Sequence, residues 1–123
     1  MHKASLEYNE LVLDHYRNPR NFGTIERPTH IASELNPLCG DEITVYFKVR
    51  GSKIENFKYE ARGCALSVAA ASILSERIMN YELGIREVQK ITKADIEKML
   101  GIKVGKAREG CLTLSLNTIK KTI

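Results

Sequence analysis

The chain has 123 residues, 43% of them hydrophobic and 28% charged, with a net charge of +4 and an isoelectric point near 9.0. That length supports one domain over residues 1–123 with one core, and the composition is that of an ordinary globular protein, which excludes a disordered or fibrous chain. No apolar run is long enough to span a bilayer and the first residues hold no secretory apolar stretch, so a cytoplasmic protein with no membrane partner is expected.

The charge is uneven. Residues 1–60 carry 8 Lys/Arg against 9 Asp/Glu, and residues 61–123 carry 11 against 6. A basic half can meet nucleic acid. Here its charges are spread over helical segments, and no aromatic residue lies between the basic residues of 103–121 to stack on a base, so no nucleic-acid partner is expected. Three cysteines is an odd number, and there is no Cys-x-x-Cys pair. Reduced thiols fit this pattern, and such thiols bind metal, react or fill core.

In chain order, Ser5 is placed to cap a first helix. Tyr8, Leu11, Val12 and His15 follow the spacing of one buried helical face, and Pro19 ends that helix near Arg17. His15 reads as a hydrogen-bonded, half-buried histidine rather than a ligand. Residues 18–23 form a turn-rich loop. Arg27 to Leu35 reads as a weak strand with Ile31, Ser33 and Leu35 on one face, broken by Asn36-Pro37.

The next strand is the clearest element. Ile43, Val45, Phe47 and Val49 alternate with polar neighbours. Gly51-Ser52 turns the chain, and Lys53 to Ala61 returns with Phe57, Tyr59 and Ala61 in step. Ile54 is out of step, which predicts a bulge near Glu55-Asn56. Ala65 to Met79 then reads as a helix apolar nearly all round, hence a central one. A short helix follows over Ile85 to Lys90. Thr92 and Asp95 form a capping pair for a helix to Leu100, stopped by Gly101. Residues 101–110 read as a flexible basic loop with Lys103, Lys106 and Arg108, and a last helix starts near Cys111. The expected fold class is α+β: a small three-stranded antiparallel sheet with helices packed on one face.

The chemistry lies in the cysteines. Cys39-Gly40-Asp41 sits just before the strongest strand, with a thiol and a carboxylate flanking a glycine whose backbone freedom lets both side chains turn toward one point. Cys64 follows Gly63 at a strand–helix junction, and Cys111 follows Gly110 at the expected helix start. Two thiols at helix N-termini, with Lys106 and Arg108 beside one of them, favour the thiolate form. Three thiolates and Asp41 form a four-donor set that suits iron–sulfur clusters, zinc or Cu(I). Two other readings stay open: inert cysteines acting as small hydrophobes, and a cysteine nucleophile whose activating base lies elsewhere in the chain.

These residues together resemble a known family. His15-Tyr16-Arg17-Asn18-Pro19-Arg20-Asn21, Asn36-Pro37-Leu38-Cys39-Gly40-Asp41, Gly63-Cys64-Ala65-Leu66-Ser67 with its Ala/Ser-rich helix, and Cys111-Leu112-Thr113-Leu114 are similar, in order and spacing, to motifs of the U-type iron–sulfur cluster assembly scaffolds (the IscU/SufU/NifU N-terminal family). The resemblance covers nearly the whole chain. It implies a scaffold that accepts sulfur from a cysteine desulfurase as a persulfide, assembles a transient [2Fe–2S] cluster with iron, and transfers it to apo iron–sulfur proteins or carrier proteins. It implies Cys39, Asp41, Cys64 and Cys111 as ligands for cluster, iron or zinc, and Cys111 as the persulfide acceptor. A homodimer is among the assemblies it allows. A hard carboxylate ligand such as Asp41 would keep a soft cluster labile, as release requires.

Two departures bear on mechanism. The Isc-type branch has a histidine where this chain has Gly110, and a Leu-Pro-Pro-Val-Lys chaperone-docking motif where this chain reads Leu100-Gly101-Ile102-Lys103-Val104-Gly105-Lys106, so that dedicated chaperone is not an expected partner. Arg108 and the run from Gly63 to Ala69 look like the Suf branch, whose usual insertion has no room in the 47-residue spacing between Cys64 and Cys111. The alternative function is therefore a zinc-bound sulfur carrier that activates a Suf-type desulfurase. Either way the chain is expected to be a scaffold or carrier rather than an enzyme in the ordinary sense.

Overall fold

The computed structural model describes residues 8–123. Three antiparallel strands, β1 (His30–Asn36), β2 (Asp41–Arg50) and β3 (Lys53–Arg62), pair in the order β1-β2-β3. Five helices are found among the described residues: α1 (Glu10–Arg17), α2 (Ala65–Asn80), α3 (Ile85–Gln89), α4 (Lys93–Leu100) and α5 (Lys106–Lys121). This is the expected α+β class. Helix α2 packs on β3 and α5 packs on β1 and β2, while α1, α4 and α5 all pack against α2.

The period-2 pattern produces the sheet. Ile43, Val45 and Phe47 of β2 and Phe57 and Tyr59 of β3 are all buried on the face that meets the helices. The register runs Lys48↔Asn56 and then Val49↔Ile54, so Glu55 is the extra residue of a bulge that returns Ile54 to the core. Helix α2 is buried from Leu66 to Ser75, and its alanines let α1, α5 and β3 approach its axis.

Strand β1 begins at His30 rather than Arg27. Ile31, Ser33 and Leu35 do share a face, but it is the exposed one. The inward face carries His30, Ala32, Glu34 and Asn36, and the Glu34 carboxylate is paired with Lys121 at the end of α5. His30 stacks on Phe47 at 4.8 Å between ring centroids.

The helix ends follow local chemistry. The cap of α1 is Asn9, whose side chain accepts from Val12 N–H; Ser5 lies outside the described residues. Thr92 and Asp95 form the expected reciprocal cap of α4, and Gly101 ends that helix in the left-handed region. His15 is hydrogen-bonded as expected, with Nδ1 2.7 Å from Ser72 Oγ of α2, but it is fully rather than half buried.

One element differs from the sequence reading. The last helix starts at Lys106, so Gly110 and Cys111 lie inside it rather than at its edge. The glycines make 101–110 read as loop, yet tertiary contacts hold the first turn of α5. Lys93 pairs with Glu109 at 3.4 Å, Glu97 Oε2 accepts from Val104 N–H at 2.8 Å, and Arg108 Nη2 donates to Tyr8 Oη at 2.8 Å. Such contacts outweigh the roughly 1 kcal/mol that an internal glycine costs a helix.

Candidate metal centre

The site lies at one end of the sheet, where the β1–β2 turn, the β3–α2 junction and the second turn of α5 meet. The turn is closed by Asn36, whose carbonyl accepts from Cys39 N–H at 3.3 Å and Gly40 N–H at 2.7 Å. Gly40 has φ +73, a conformation that favours glycine, and it turns Cys39 and Asp41 onto the same side. Cys39 Sγ comes to 2.9 Å from Cys111 Sγ. The donor atoms of Cys39, Asp41 and Cys111 all lie within 4.8 Å of one another.

Cys64 joins this group through Asp41. It is the N-cap of α2, its Sγ is 3.7 Å from Asp41 Oδ2, and its backbone N–H donates to Asp41 Oδ1 at 2.9 Å. All four residues named from the sequence therefore converge, with Cys39, Asp41 and Cys111 forming the tight cluster and Cys64 at its side. Thiolate and carboxylate donors at these separations suit a soft, four-coordinate metal.

Asp41 is fully buried. Burial opposes its ionisation, but the hydrogen bonds from Ser67, from Cys64 N–H and from the neighbouring thiols outweigh that, and its pKa lies below the ordinary value. The carboxylate fits because residue 63 has no side chain. A Cβ on Gly63 would stand 2.1 Å from Asp41 Oδ1, and Gly63 has φ +144.

Cys111 corrects the expected thiolate setting. It is buried inside α5, past the N-terminal turn whose N–H groups would favour negative charge. Burial and the adjacent Cys39 sulfur push its thiol well above the ordinary range, against the pull of Arg108. A bound cation reverses this balance, because a coordinated thiol gives up its proton. Arg108 also leans on Cys64, with Nη2 3.7 Å from Sγ, and its own pKa is raised first by the bond to Tyr8. Lys103 and Lys106 stay exposed.

Three contributors escape the cysteine pattern. Ser67 Oγ donates to Asp41 Oδ2 at 2.6 Å, Asn36 Nδ2 points at Cys111 Sγ from 4.0 Å, and Tyr8 holds Arg108. Ser67 lies one helical turn after Cys64 and so faces the same way. Gly110 leaves the room that the Asn36 amide occupies: a Cβ there would stand 3.1 Å from Asn36 Nδ2.

This junction of hairpin turn, helix cap and last helix, with a thiol on each and a carboxylate beneath, defines an α+β protein with a candidate metal site of cysteine and aspartate donors. Residues 7–123 match the family described as NifU-like N terminal domain, and the chain belongs to that family. It is 35% identical over 116 residues to the iron-sulfur cluster assembly scaffold protein IscU 1 of Archaeoglobus fulgidus, covering 94% of this chain and 74% of that one. It is 30% identical over 131 residues to the zinc-dependent sulfurtransferase SufU of Bacillus subtilis, covering 94% of this chain and 88% of that one. In fold it is similar to the N-terminal NifU-like protein of Brucella abortus, with a TM-score of 0.84, 20% identity and coverage of 98% and 94%. Among the described residues, no helix is long and apolar enough to cross a membrane.

Proposed function

We propose that the chain is an iron–sulfur cluster assembly scaffold that receives sulfur from a cysteine desulfurase, assembles a transient [2Fe–2S] cluster on Cys39, Asp41, Cys64 and Cys111, and passes it to apo-proteins. The observation that carries this reading is the gathering of Cys39, Asp41 and Cys111 donor atoms within 4.8 Å of one another, with Cys64 Sγ 3.7 Å from the Asp41 carboxylate. Nothing about the fold alone requires that convergence. The scaffold relatives, one of them 35% identical over 94% of the chain, support the same assignment.

Cys111 is the proposed persulfide acceptor. It is only 1% exposed, whereas Cys39 beside it is exposed. Sulfur transfer to Cys111 therefore requires the site to open around it. Peptide mass mapping after incubation with desulfurase and cysteine should find the added sulfur on Cys111; sulfur confined to Cys39 would overturn this assignment.

A zinc-dependent sulfurtransferase is the second reading, and Arg108 favours it. Its guanidinium beside Cys64 can stabilise a thiolate that leaves a zinc ion, as ligand exchange with a desulfurase would need. Anaerobic addition of iron, cysteine and desulfurase separates the two. A transferable [2Fe–2S] chromophore supports the scaffold. Tight zinc, no chromophore and a faster desulfurase would support the sulfurtransferase instead.

A further inference from the structure

We propose that Ser67 is the positioning residue that fixes Asp41 in its ligand pose and ties that pose to the third cysteine. The proposal rests on the metal-site reading above. Ser67 sits one turn into α2 and is buried. Its single hydroxyl touches three of the four residues of the site: Asp41 Oδ2 at 2.6 Å, the Cys111 backbone carbonyl at 3.1 Å, and Cys64 Sγ at 3.5 Å. These belong to the start of β2, to α5 and to the cap of α2, so one oxygen joins three of the elements that carry donors.

The geometry gives that oxygen a defined task. Cys64 N–H holds Asp41 Oδ1 and the Ser67 hydroxyl holds Oδ2, which fixes both the position and the plane of the carboxylate. A hydroxyl has one proton to donate. The 2.6 Å contact to a carboxylate is the shorter and charge-assisted one, so it takes the proton in the metal-free site. The Cys111 carbonyl is the second acceptor already in place.

Groups that orient a ligand in this way typically govern metal affinity by 10–100-fold when removed. The test is Co²⁺ titration of the metal-free chain against a competing chelator, following the thiolate-to-cobalt absorption. Ser67→Ala should weaken Co²⁺ binding by about 10-fold or more, and Ser67→Thr, which keeps the hydroxyl, should recover most of it. In an Asp41→Asn background the Ser67→Ala change should add nothing further, because its effect passes through the carboxylate. Thermal unfolding without metal accompanies each variant, so that a loss of folding is not read as a loss of affinity. Unchanged affinity in Ser67→Ala beside a loss in Asp41→Asn overturns the positioning role and leaves the site intact. An equal loss in both backgrounds makes Ser67 a packing residue and also overturns it. If the unmodified chain binds no Co²⁺, the site reading fails and this inference with it.

Discussion

At the scale of single residues, the site depends on what is missing as much as on what is present. Gly63 stands against Asp41 so closely that a methyl group would meet Oδ1 at 2.1 Å and the Asp41 Cα at 2.9 Å, in a backbone conformation side chains rarely adopt. Gly63→Ala must therefore push the carboxylate off its two hydrogen bonds. It should cost on the order of 1–3 kcal/mol in thermal unfolding and abolish Co²⁺ binding; retention of both would show that Asp41 is not held as described. The residues of the site were legible to different depths. Cys39, Asp41, Cys64 and Cys111 stood out because each thiol had a glycine beside it and one had a carboxylate two positions on. Ser67 did not stand out, because a serine in an Ala/Ser-rich helix reads as packing until its partner is known. The ionisation of Cys111 was misread because its place in α5 depends on contacts far away in sequence.

At the scale of elements, one side chain serves two helices at once. Asn9 Oδ1 accepts from Val12 N–H at the start of α1, while its Nδ2 donates to the Leu100 carbonyl at 2.8 Å and the Gly101 carbonyl at 3.3 Å at the end of α4. Asn9→Ala removes a cap from each, and an unfolding midpoint in urea should show a loss of about 1–2 kcal/mol; Asn9→Asp, which keeps only the first cap, should fall between. Helix α5 gives the opposite sign. Gly110 occupies an internal helical position, so Gly110→Ala gains about 0.5–1 kcal/mol of helix propensity. Its Cβ meets only the end of the Asn36 amide, at 3.1 Å. The metal-free protein should therefore melt slightly higher in this variant. A lower midpoint would mean that Asn36 cannot yield. The strands were legible because alternation records burial directly, and α2 because its apolar run has no other place to go. The inner face of β1 was not: Glu34 is acceptable there only because Lys121 reaches it from the other end of the chain. Ile31 and Leu35, which composition assigns to a core, stay outside.

At the scale of the whole molecule, the packing of α1 and the 18–23 turn onto α2 is held by a small polar cluster that titrates. Ser72 Oγ accepts from Arg20 N–H at 2.9 Å and lies 2.7 Å from His15 Nδ1, a contact whose donor is set by the tautomer of the ring. His15 Nε2 faces Glu76 Oε1 at 3.8 Å, and Asp14 and Arg20 pair beside it. Burial first, then the charge of Arg20, holds the His15 pKa below its ordinary 6.5, against the pull of Glu76 and Asp14. An unfolded histidine takes up a proton as pH falls through about 6.5, while the folded one resists until a lower pH. The unfolded state therefore binds more protons in that window, so stability is complete above 6.5 and declines as pH drops to the folded pKa. Asp41 and Asp14 have lowered pKa values, so their contribution is lost as pH falls from the ordinary carboxylate pKa to the lower folded one, well below this window. Urea unfolding of the metal-free protein at pH 7.5 and pH 5.5 isolates the histidine. The unmodified chain should lose stability on acidification, and His15→Gln should lose distinctly less between the same two values. Equal losses in the two proteins would place the acid sensitivity elsewhere and leave His15 a neutral packing residue at both.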